Sequence, residues 1–384
     1  MNLQALLLCS DDKIVRVLRR VLNDLEITVE HCADPELAIL KLSRRRFEAV
    51  IVDCEDTEVA AQILKAARNA PANKKAVAVA IVNEQHGLRS AFEFGAHFVL
   101  YKPISTERAR SSFRAARALM KCERRRAARV PVEMPVMYRF LKYGSDGPVE
   151  RTVSVDLSED GVGIRLSRRH RERGPMHVQF KLPGSNRLVE AESELAWENP
   201  NGQAGLRFLE LPSETRQALK NWLKVSSPDS DEDPPAPCKL SDLSLGGCYL
   251  ETPAPFPVRA RLSLRMKVGQ LQVRASGSVK VMHPEVGMGV IFIQKTAEQR
   301  KEVEGFIQAL MDSNGVEPEL VVEPDGLEPF VSQRGLASPQ KHSSEDPLID
   351  LFENGARLST EEFLEELRKQ RNSGAPEQAL SENF

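Results

Sequence analysis

Aromatic residues, histidines and long apolar runs are all scarce in this 384-residue chain. Only 5% of the residues are aromatic and seven are histidines, and the longest apolar run, from Ala76 to Val82, is far too short to span a bilayer. The six cysteines form no C-x-x-C pair, and no histidine stands at zinc-ligand spacing. We therefore expect reduced thiols in a cytoplasmic protein, with no membrane insertion and no metal site.

Catalytic motifs are missing as well. The chain contains no G-x-S-x-G, no H-E-x-x-H and no phosphate-binding glycine loop, and its histidines are scattered. The sequence therefore predicts a protein that is not an enzyme and needs no cofactor.

Charge is nearly balanced overall but unevenly distributed. The chain has a net charge of −2, whereas residues 313–384 alone carry 15 acidic and 6 basic side chains, which leaves +7 for residues 1–312. Duplex DNA could be bound by a stripe of arginines, which comprises Arg124, Arg125, Arg126, Arg129, Arg168, Arg169, Arg171 and Arg173. No helix-turn-helix pattern accompanies these residues, so DNA is an unlikely partner.

The most informative stretch runs from residue 121 to 164. Arg125 and Arg129 stand four apart just before an alternating strand, where a short flexible arm would present two planar five-donor forks to phosphate or to the O6/N7 edge of guanine. Asp156 and Ser158 offer acceptors and a hydroxyl at the end of the next strand, and Gly161 allows a positive φ and a close ligand approach. A guanine nucleotide with more than one phosphate would satisfy both halves.

This pairing of R-x-x-x-R with D-x-S-x-x-G, ahead of a small β-barrel, resembles the PilZ domain family. The resemblance implies binding of the second messenger cyclic di-GMP by Arg125, Arg129, Asp156, Ser158 and Gly161. Residues 121–225 support it, because apolar and polar residues alternate there over several strands and a helix capped by Ser213 follows. One strand face is predicted to carry Val153, Val155 and Leu157, and another Val189, Ala191, Leu195 and Trp197.

Residues 1–120 alternate apolar strands with helices, which predicts a doubly wound α/β domain with a parallel sheet covered on both faces. Strand-end acids, followed by Lys102-Pro103 after the last strand, resemble the receiver domain of response regulators. The resemblance implies that Asp53 is the phospho-acceptor, that Asp11 is a magnesium ligand and that Lys102 pairs with the phosphoryl group.

The departures from the receiver pattern are equally specific. Ser10 stands where the family has its first acid, and the window from Ala80 to Val82 lacks the switch hydroxyl. Without that hydroxyl, nothing in the window can close on a phosphoryl oxygen. We therefore expect a pseudo-receiver used for docking, with Mg²⁺ at Asp11 and Asp53 only if the domain is active; a phosphorylation-regulated response regulator remains an alternative.

The chain also repeats itself. Asp242-Leu243-Ser244-Leu245-Gly246-Gly247 lies 86 residues after the first D-L-S, and Gly289-Val290-Ile291-Phe292 lies 84 residues after Gly205–Phe208. Residues 236–312 are therefore predicted to form a second PilZ-like barrel. An acidic linker at 226–235 replaces the arginine arm, so a scaffold or dimerisation role is favoured there and a homodimer stays open.

Residues 313–384 are rich in Pro, Glu, Ser and Gly, so a mostly disordered acidic tail is predicted. A short helix near 359–370 is the exception, because Ser359 and Glu362 form a capping box ahead of Phe363, Leu364 and Leu367. It is either a marginal isolated helix or a docking motif for a partner groove.

Taken together, these patterns predict a multidomain α/β plus β signalling effector. It would bind cyclic di-GMP and transmit the second-messenger level to an unidentified protein partner. The alternative is a PilZ-fold adaptor or scaffold that binds proteins and no nucleotide.

Overall fold

The structure, a computed structural model, describes residues 3–83, 88–127, 129–141, 148–166, 174–185, 187–199, 201–226, 238–294, 296–313, 316–328, 346–354 and 358–373. It divides into two units, one formed by residues 124–232 and the other by residues 2–123 together with 233–384. The arginines at 168, 169, 171 and 173 and the acidic linker beyond Ser226 lie outside the described residues.

The N-terminal domain is a five-stranded parallel sheet with helices between its strands. Its elements are β1 Leu3–Leu8, α1 Asp12–Asp24, β2 Ile27–Cys32, α2 Pro35–Arg44, β3 Ala49–Asp53, α3 Thr57–Asn69, β4 Val77–Asn83, α4 Leu88–Glu93, β5 Phe98–Lys102 and α5 Thr106–Ala127. The strand order is β2-β1-β3-β4-β5, the doubly wound order found in receiver domains. Strands β3 and β4 are buried on both faces, which explains their uninterrupted apolar sequences.

The first unit is a closed antiparallel barrel. Its elements are β6 Val130–Pro131, β7 Pro135–Phe140, β8 Glu150–Ser158, β9 Gly161–Arg165, β10 Pro175–Lys181, β11 Leu188–Glu198, β12 Gln203–Glu210 and α6 Ser213–Ser226. Six strands follow the order β8-β7-β10-β11-β12-β9, and the pairing of β8 with β9 closes the ring while β6 extends β8. Leu219 and Leu223 of α6 are buried in the barrel core.

A bulge in β8 changes which residues face that core. The register shifts between Ser154 and Asp156, so Ser154 and Leu157 are buried while Val153 is 40% exposed. The prediction that Val153 shares a face with Leu157 is therefore wrong. Ser154 is satisfied by backbone, because Met134 N donates to its Oγ at 3.0 Å and the hydroxyl donates to Val132 O at 2.5 Å.

The second copy is an antiparallel sheet of six strands. Its elements, and those of the tail, are β13 Lys239–Leu243, β14 Gly247–Glu251, β15 Ala260–Val268, β16 Leu271–His283, β17 Gly287–Phe292, α7 Ala297–Asp312, β18 Glu319–Leu327, α8 Pro347–Asn354 and α9 Thr360–Ser373. The strand order is β13-β14-β17-β16-β15-β18, and no pairing between described strands joins β13 to β18. This sheet is open where the first one closes.

The segment after residue 313 is more ordered than its composition predicts. Strand β18 pairs with β15 along nearly its whole length, and Lys267 and Arg261 of β15 form ion pairs with Glu319 and Glu328 at 3.2 and 3.3 Å. The capping box of α9 is present: Glu362 N donates to Ser359 Oγ at 3.2 Å, and Ser359 N donates to Glu362 Oε2 at 2.8 Å.

Within their common unit, the N-terminal domain and the second sheet are in contact through α5. Ser111 Oγ donates to Pro253 O at 2.9 Å, Arg108 Nε lies 3.3 Å from Glu285 Oε1, and Leu327 N donates to the buried carboxylate of Glu123 at 2.6 Å. The most buried of these bonds, at Glu123, joins α5 to the strand supplied by the tail.

Candidate nucleotide site and receiver edge

The arginine string is helical and not a flexible arm. Helix α5 continues to Ala127, so Arg124, Arg125 and Arg126 form its last turn. Arginine and alanine are good helix formers and no glycine or proline interrupts the segment, which explains why the helix extends this far. Arg125 makes no hydrogen bond or ion pair with any described residue, whereas Arg129 lies beyond the helix, one residue before β6.

Arg129 joins the two halves of the predicted site. Its Nη1 donates to Asp156 Oδ1 at 2.9 Å across a sequence separation of 27 residues. Its guanidinium carbon also lies 5.9 Å from the centre of the Trp197 ring, within cation–π range. The side chains of Arg129 and Asp156 remain 44% and 24% exposed, so both can reach a ligand from solvent.

Two paired glycines form the floor beneath these side chains. Gly163 of β9 lies opposite Gly205 of β12. A Cβ on Gly163 would come within 2.6 Å of Asp156 Oδ1, and a Cβ on Gly205 would overlap the Trp197 indole. The carboxylate and the indole therefore lie directly over the backbone at positions where only glycine leaves room.

Sequence reasoning placed Trp197, a side chain of the candidate site, on the wrong face of its strand. Period-two alternation assigns it to the same face as Val189 and Ala191, but it is 40% exposed. Register shifts in β11 after Glu192 and again after Leu195 change the alternation, and the second one sets Trp197 opposite Gly205. Gly205, in the middle of a strand, was the available signal of a close approach.

Ser158 and Gly161 shape the turn more than they present chemistry. Ser158 is 6% exposed, and its Oγ donates to Gly161 O at 3.1 Å. Gly161 is not among the positive-φ glycines, contrary to expectation. It is needed because a Cβ would collide with Leu206 O on the neighbouring strand β12.

A buried acid holds the end of the arginine string against this turn. Arg126 Nη2 lies 3.3 Å from Asp160 Oδ1, and Glu159 Oε2 lies 3.9 Å from Arg126 Nε and 4.0 Å from Lys220 Nζ. The pKa of the Glu159 carboxyl is raised, because the effect of burial exceeds the opposing effect of the nearby positive charges of Lys220, Arg126 and Arg125. Arg126 is therefore engaged in ion pairs that hold the helix end against the turn.

The arrangement suits a planar base carrying phosphates. An arginine fork matches the O6 and N7 acceptors of guanine, and a carboxylate can accept from its exocyclic amine. An exposed indole offers a stacking surface, and a second arginine at the helix end offers donors for phosphate. Arg129, Asp156, Trp197 and Arg125 are, in that order, the side chains of these four kinds at this surface.

The second D-x-S motif is arranged differently. Tyr249 takes the place of Gly163, because it pairs with Gly289 as Gly163 pairs with Gly205. Val281 lies opposite Gly289 as Trp197 lies opposite Gly205. The chain upstream of this sheet, residues 227–237, lies outside the described residues, and its sequence contains no arginine.

At the carboxyl ends of the parallel strands in the N-terminal domain, Asp53 forms an ion pair with Lys102. Lys102 Nζ lies 2.8 Å from Asp53 Oδ1 and 2.9 Å from Oδ2, and the thiol of Cys9 lies 3.4 Å from Oδ2. Burial and the nearby Asp53 charge raise the pKa of Cys9 to about 11, so the thiol stays protonated. Asp11 is used elsewhere: its carboxylate accepts from Lys13 N at 2.7 Å and caps α1.

These residues do not fit Mg²⁺. The ion needs several oxygen ligands, but a neutral thiol occupies the contact with Asp53 and Asp11 serves as a helix cap. Across the described parts of the chain, no group of three or more His, Cys, Asp and Glu side chains could hold a metal ion. Val82, near the end of β4, is buried and apolar, consistent with the missing hydroxyl.

The chain is similar to one protein family and to several solved structures. The PilZ domain model matches residues 123–225 and 222–309. Similar solved structures include the chemotaxis response regulator CheY4 of Vibrio cholerae (21% identity, 30% of this chain and 99% of that chain, TM-score 0.28). The receiver domain of the sensor histidine kinase PA1611 from Pseudomonas aeruginosa is another (18% identity, 32% and 99%, TM-score 0.28).

A PilZ structure is also among them: the PilZ domain of CeSA from a cellulose-synthesizing bacterium, at 17% identity, matches over 25% of this chain and 94% of its own, with a TM-score of 0.20. No curated protein matches the chain. None of the described helices is both long enough and apolar enough to cross a membrane. The matched residues and the fold lead to one conclusion: the chain carries two PilZ domains behind an N-terminal receiver-like domain.

Proposed function

We propose that this protein is a cyclic di-GMP effector whose first PilZ domain, residues 123–225, binds the nucleotide. The observation that carries the proposal is the contact of Arg129 with Asp156 and Trp197 above the glycine pair Gly163 and Gly205. It unites both halves of the motif at a surface open to solvent.

In the bound state, Arg129 places its fork on a guanine edge and Asp156 accepts from the other guanine. Arg125 reaches the phosphates from the last turn of α5, and Trp197 stacks on a base. Ser158 and Gly161 keep the turn in the shape that presents Asp156. The nucleotide level is then passed to a protein partner, whose identity these residues do not specify.

Isothermal titration of the full chain with cyclic di-GMP tests this proposal. A bidentate arginine contact is worth roughly 1–3 kcal/mol, so Arg125→Ala or Arg129→Ala should weaken binding by about ten- to a hundred-fold. Arg129→Lys should fail nearly as badly, because an ammonium keeps the charge but loses the fork. The matched control is Arg187→Ala, which removes an arginine of similar exposure that pairs with Glu214 elsewhere on the barrel.

An adaptor that binds proteins and no nucleotide is the competing function. It is favoured by one observation: the second motif is covered by other residues of the chain, so a PilZ surface here can take protein. Absence of saturable binding at high micromolar cyclic di-GMP would select the adaptor, whereas equal affinity of Arg129→Lys and wild type would refute the role proposed for the Arg129 fork.

A further inference from the structure

The face of the second PilZ domain that carries its D-x-S motif is covered by two helices of the C-terminal segment. Helices α8 and α9 pack together and contribute Leu348, Leu351, Phe352, Phe363 and Leu367 to a buried apolar cluster with Tyr249 and Val281 of the sheet. Tyr249 and Val281 are the residues that replace Gly163 and Trp197 of the first domain. The helices thus lie where the first domain presents its candidate nucleotide site.

The contacts at the motif itself are close and polar as well as apolar. Gly246 N donates to Asp346 Oδ2 at 3.0 Å, and Leu348 N donates to Asp346 Oδ1 at 3.1 Å. One carboxylate therefore binds the motif backbone and caps α8 at the same time. Ile349 lies against Gly246, where a Cβ would come within 2.8 Å of its side chain.

Phe352 repeats, from another element, what Trp197 does in the first domain. A Cβ on Gly289 would come within 2.7 Å of the Phe352 ring, just as one on Gly205 would overlap the Trp197 indole. The strand glycine is retained in both domains and an aromatic ring covers it in both. In the second domain the ring belongs to Phe352 of helix α8, which spans Pro347–Asn354.

Phe363 completes the occupied face from α9. Its ring centre lies 4.4 Å from that of His283 and 5.7 Å from that of Tyr249, and Tyr249 Oη lies 3.0 Å from His283 Nδ1. Phe363 and Tyr249 are fully buried. Two helices of 8 and 14 residues are marginal on their own, so the sheet is what orders them.

We propose that the second PilZ domain is a receptor for an amphipathic helical peptide, and that its resident ligand is the C-terminal segment of this chain that carries α8 and α9, described at residues 346–354 and 358–373. The binding follows the helix-in-groove mode, with Phe352 and Phe363 as anchors and Asp346 as the polar clamp on the motif backbone. Tyr249 and Val281 commit the face to apolar ligands, so it takes no cyclic di-GMP whether the helices are present or not.

The test uses the full-length protein, folded first and then cleaved at a single position. A protease site introduced between residues 328 and 346 allows cleavage after folding, and size-exclusion chromatography then reports whether the 346–384 fragment stays bound. Retention at low micromolar protein is expected. The combined change Phe352→Ala and Phe363→Ala should release the fragment and weaken its rebinding, measured by anisotropy, by about a hundred-fold or more.

Lys369→Ala provides the control, since that side chain is 68% exposed and forms an ion pair with Glu366 of α9 itself. Release of the wild-type fragment on cleavage, or retention of the doubly substituted one, overturns the proposal. Circular dichroism before cleavage verifies that each variant is folded. Titration of the released core with cyclic di-GMP must yield no additional site; a new site of affinity comparable to the first also overturns it.

The fragment assay contains no nucleotide. It therefore succeeds or fails independently of cyclic di-GMP binding by the first domain.

Discussion

Arg129 and Asp156 illustrate how a binding site can be satisfied and yet remain available. Each is the other's partner at 2.9 Å, but both are partly exposed, and ion pairs of this kind contribute only about 0–1 kcal/mol to stability. A ligand that supplies an acceptor to Arg129 and a donor to Asp156 can therefore take over both groups at little cost. The neighbouring glycines decide where the carboxylate lies when this happens.

Substitution of Gly163 by alanine tests that floor without changing any charge. The new Cβ would come within 2.6 Å of Asp156 Oδ1, so the carboxylate must move away from Arg129. We expect cyclic di-GMP affinity to fall by about tenfold, the loss of one good contact. Gly174→Ala is the matched control, because nothing lies within 4 Å of a Cβ there. Equal affinities of the two variants, measured by calorimetry, would show that the glycine floor is irrelevant to binding.

At the scale of elements, the two PilZ domains share their framework and differ in what covers it. Both pair a strand glycine with the strand after the D-x-S turn, and both have a register shift just before the residue opposite that glycine. The first domain covers its glycine with its own strand residue, Trp197, whereas the second covers it with its own strand residue, Val281, and with Phe352 from a helix. Under the two proposals, the same geometry would serve a small ligand in one copy and a peptide segment in the other.

We expect His283 to make the stability of the helix-covered face depend on pH. Burial lowers the pKa of His283 from 6.5 to about 4, so the folded state favours the neutral imidazole. Above pH 6.5 His283 is neutral in both the folded and the unfolded state. As the pH falls from 6.5 towards 4, only the unfolded state takes up the proton, so the free energy of unfolding decreases, by up to roughly 3 kcal/mol. We expect the free energy of unfolding of wild type to fall more steeply over this interval than that of His283→Leu.

Chemical denaturation at pH 7, 6, 5 and 4 measures this difference. Because carboxylates elsewhere titrate equally in both proteins, subtraction isolates His283. Parallel pH profiles for the two proteins would contradict the prediction.

At the scale of the whole molecule, chain order and spatial grouping do not coincide. The first PilZ domain forms one unit by itself, whereas the N-terminal domain shares a unit with the second PilZ domain and the tail. The contacts of Glu123, Ser111 and Arg108 on α5 join the N-terminal domain to the second sheet. Asp53 belongs to this larger unit, so a conformational change triggered at Asp53 would begin in the unit that contains the second PilZ domain.

We expect Asp53 not to act as such a switch. Lys102 already binds both of its oxygens, the thiol of Cys9 lies 3.4 Å from Oδ2, and Val82 has no hydroxyl to close on a phosphoryl group. Beryllofluoride with Mg²⁺ should therefore leave the cyclic di-GMP affinity and the oligomeric state of the full chain unchanged. The Asp53→Asn variant serves as the control for nonspecific effects. An affinity shift of tenfold or more that depends on Asp53, about 1.4 kcal/mol of coupling, would refute the pseudo-receiver prediction.

Local signals in the sequence determined much of this protein. Apolar strands alternating with helices predicted the parallel sheet, and the capping box of Ser359 and Glu362 is formed as the pattern indicated. The two motifs identified the PilZ family, and Arg129 and Asp156 do contact each other. These features depend on residues close in sequence or on a motif that carries its own geometry, so pattern alone suffices for them.

Only the tertiary structure decided the rest. Register shifts turned Trp197 outward and Val153 away from the core, because one extra residue in a strand reverses every side chain after it and leaves no mark in the alternation. The acidic segment 319–327 became a strand because the basic face of β15 offered it ion pairs and backbone partners. Helices α8 and α9 are ordered by an apolar face some hundred residues earlier in the chain, with Asp346 bound to Gly246 across 100 positions. Amino-acid composition indicates only whether a segment can form a hydrophobic core by itself. These tail segments bury their apolar residues against the second sheet, so their composition did not predict their order.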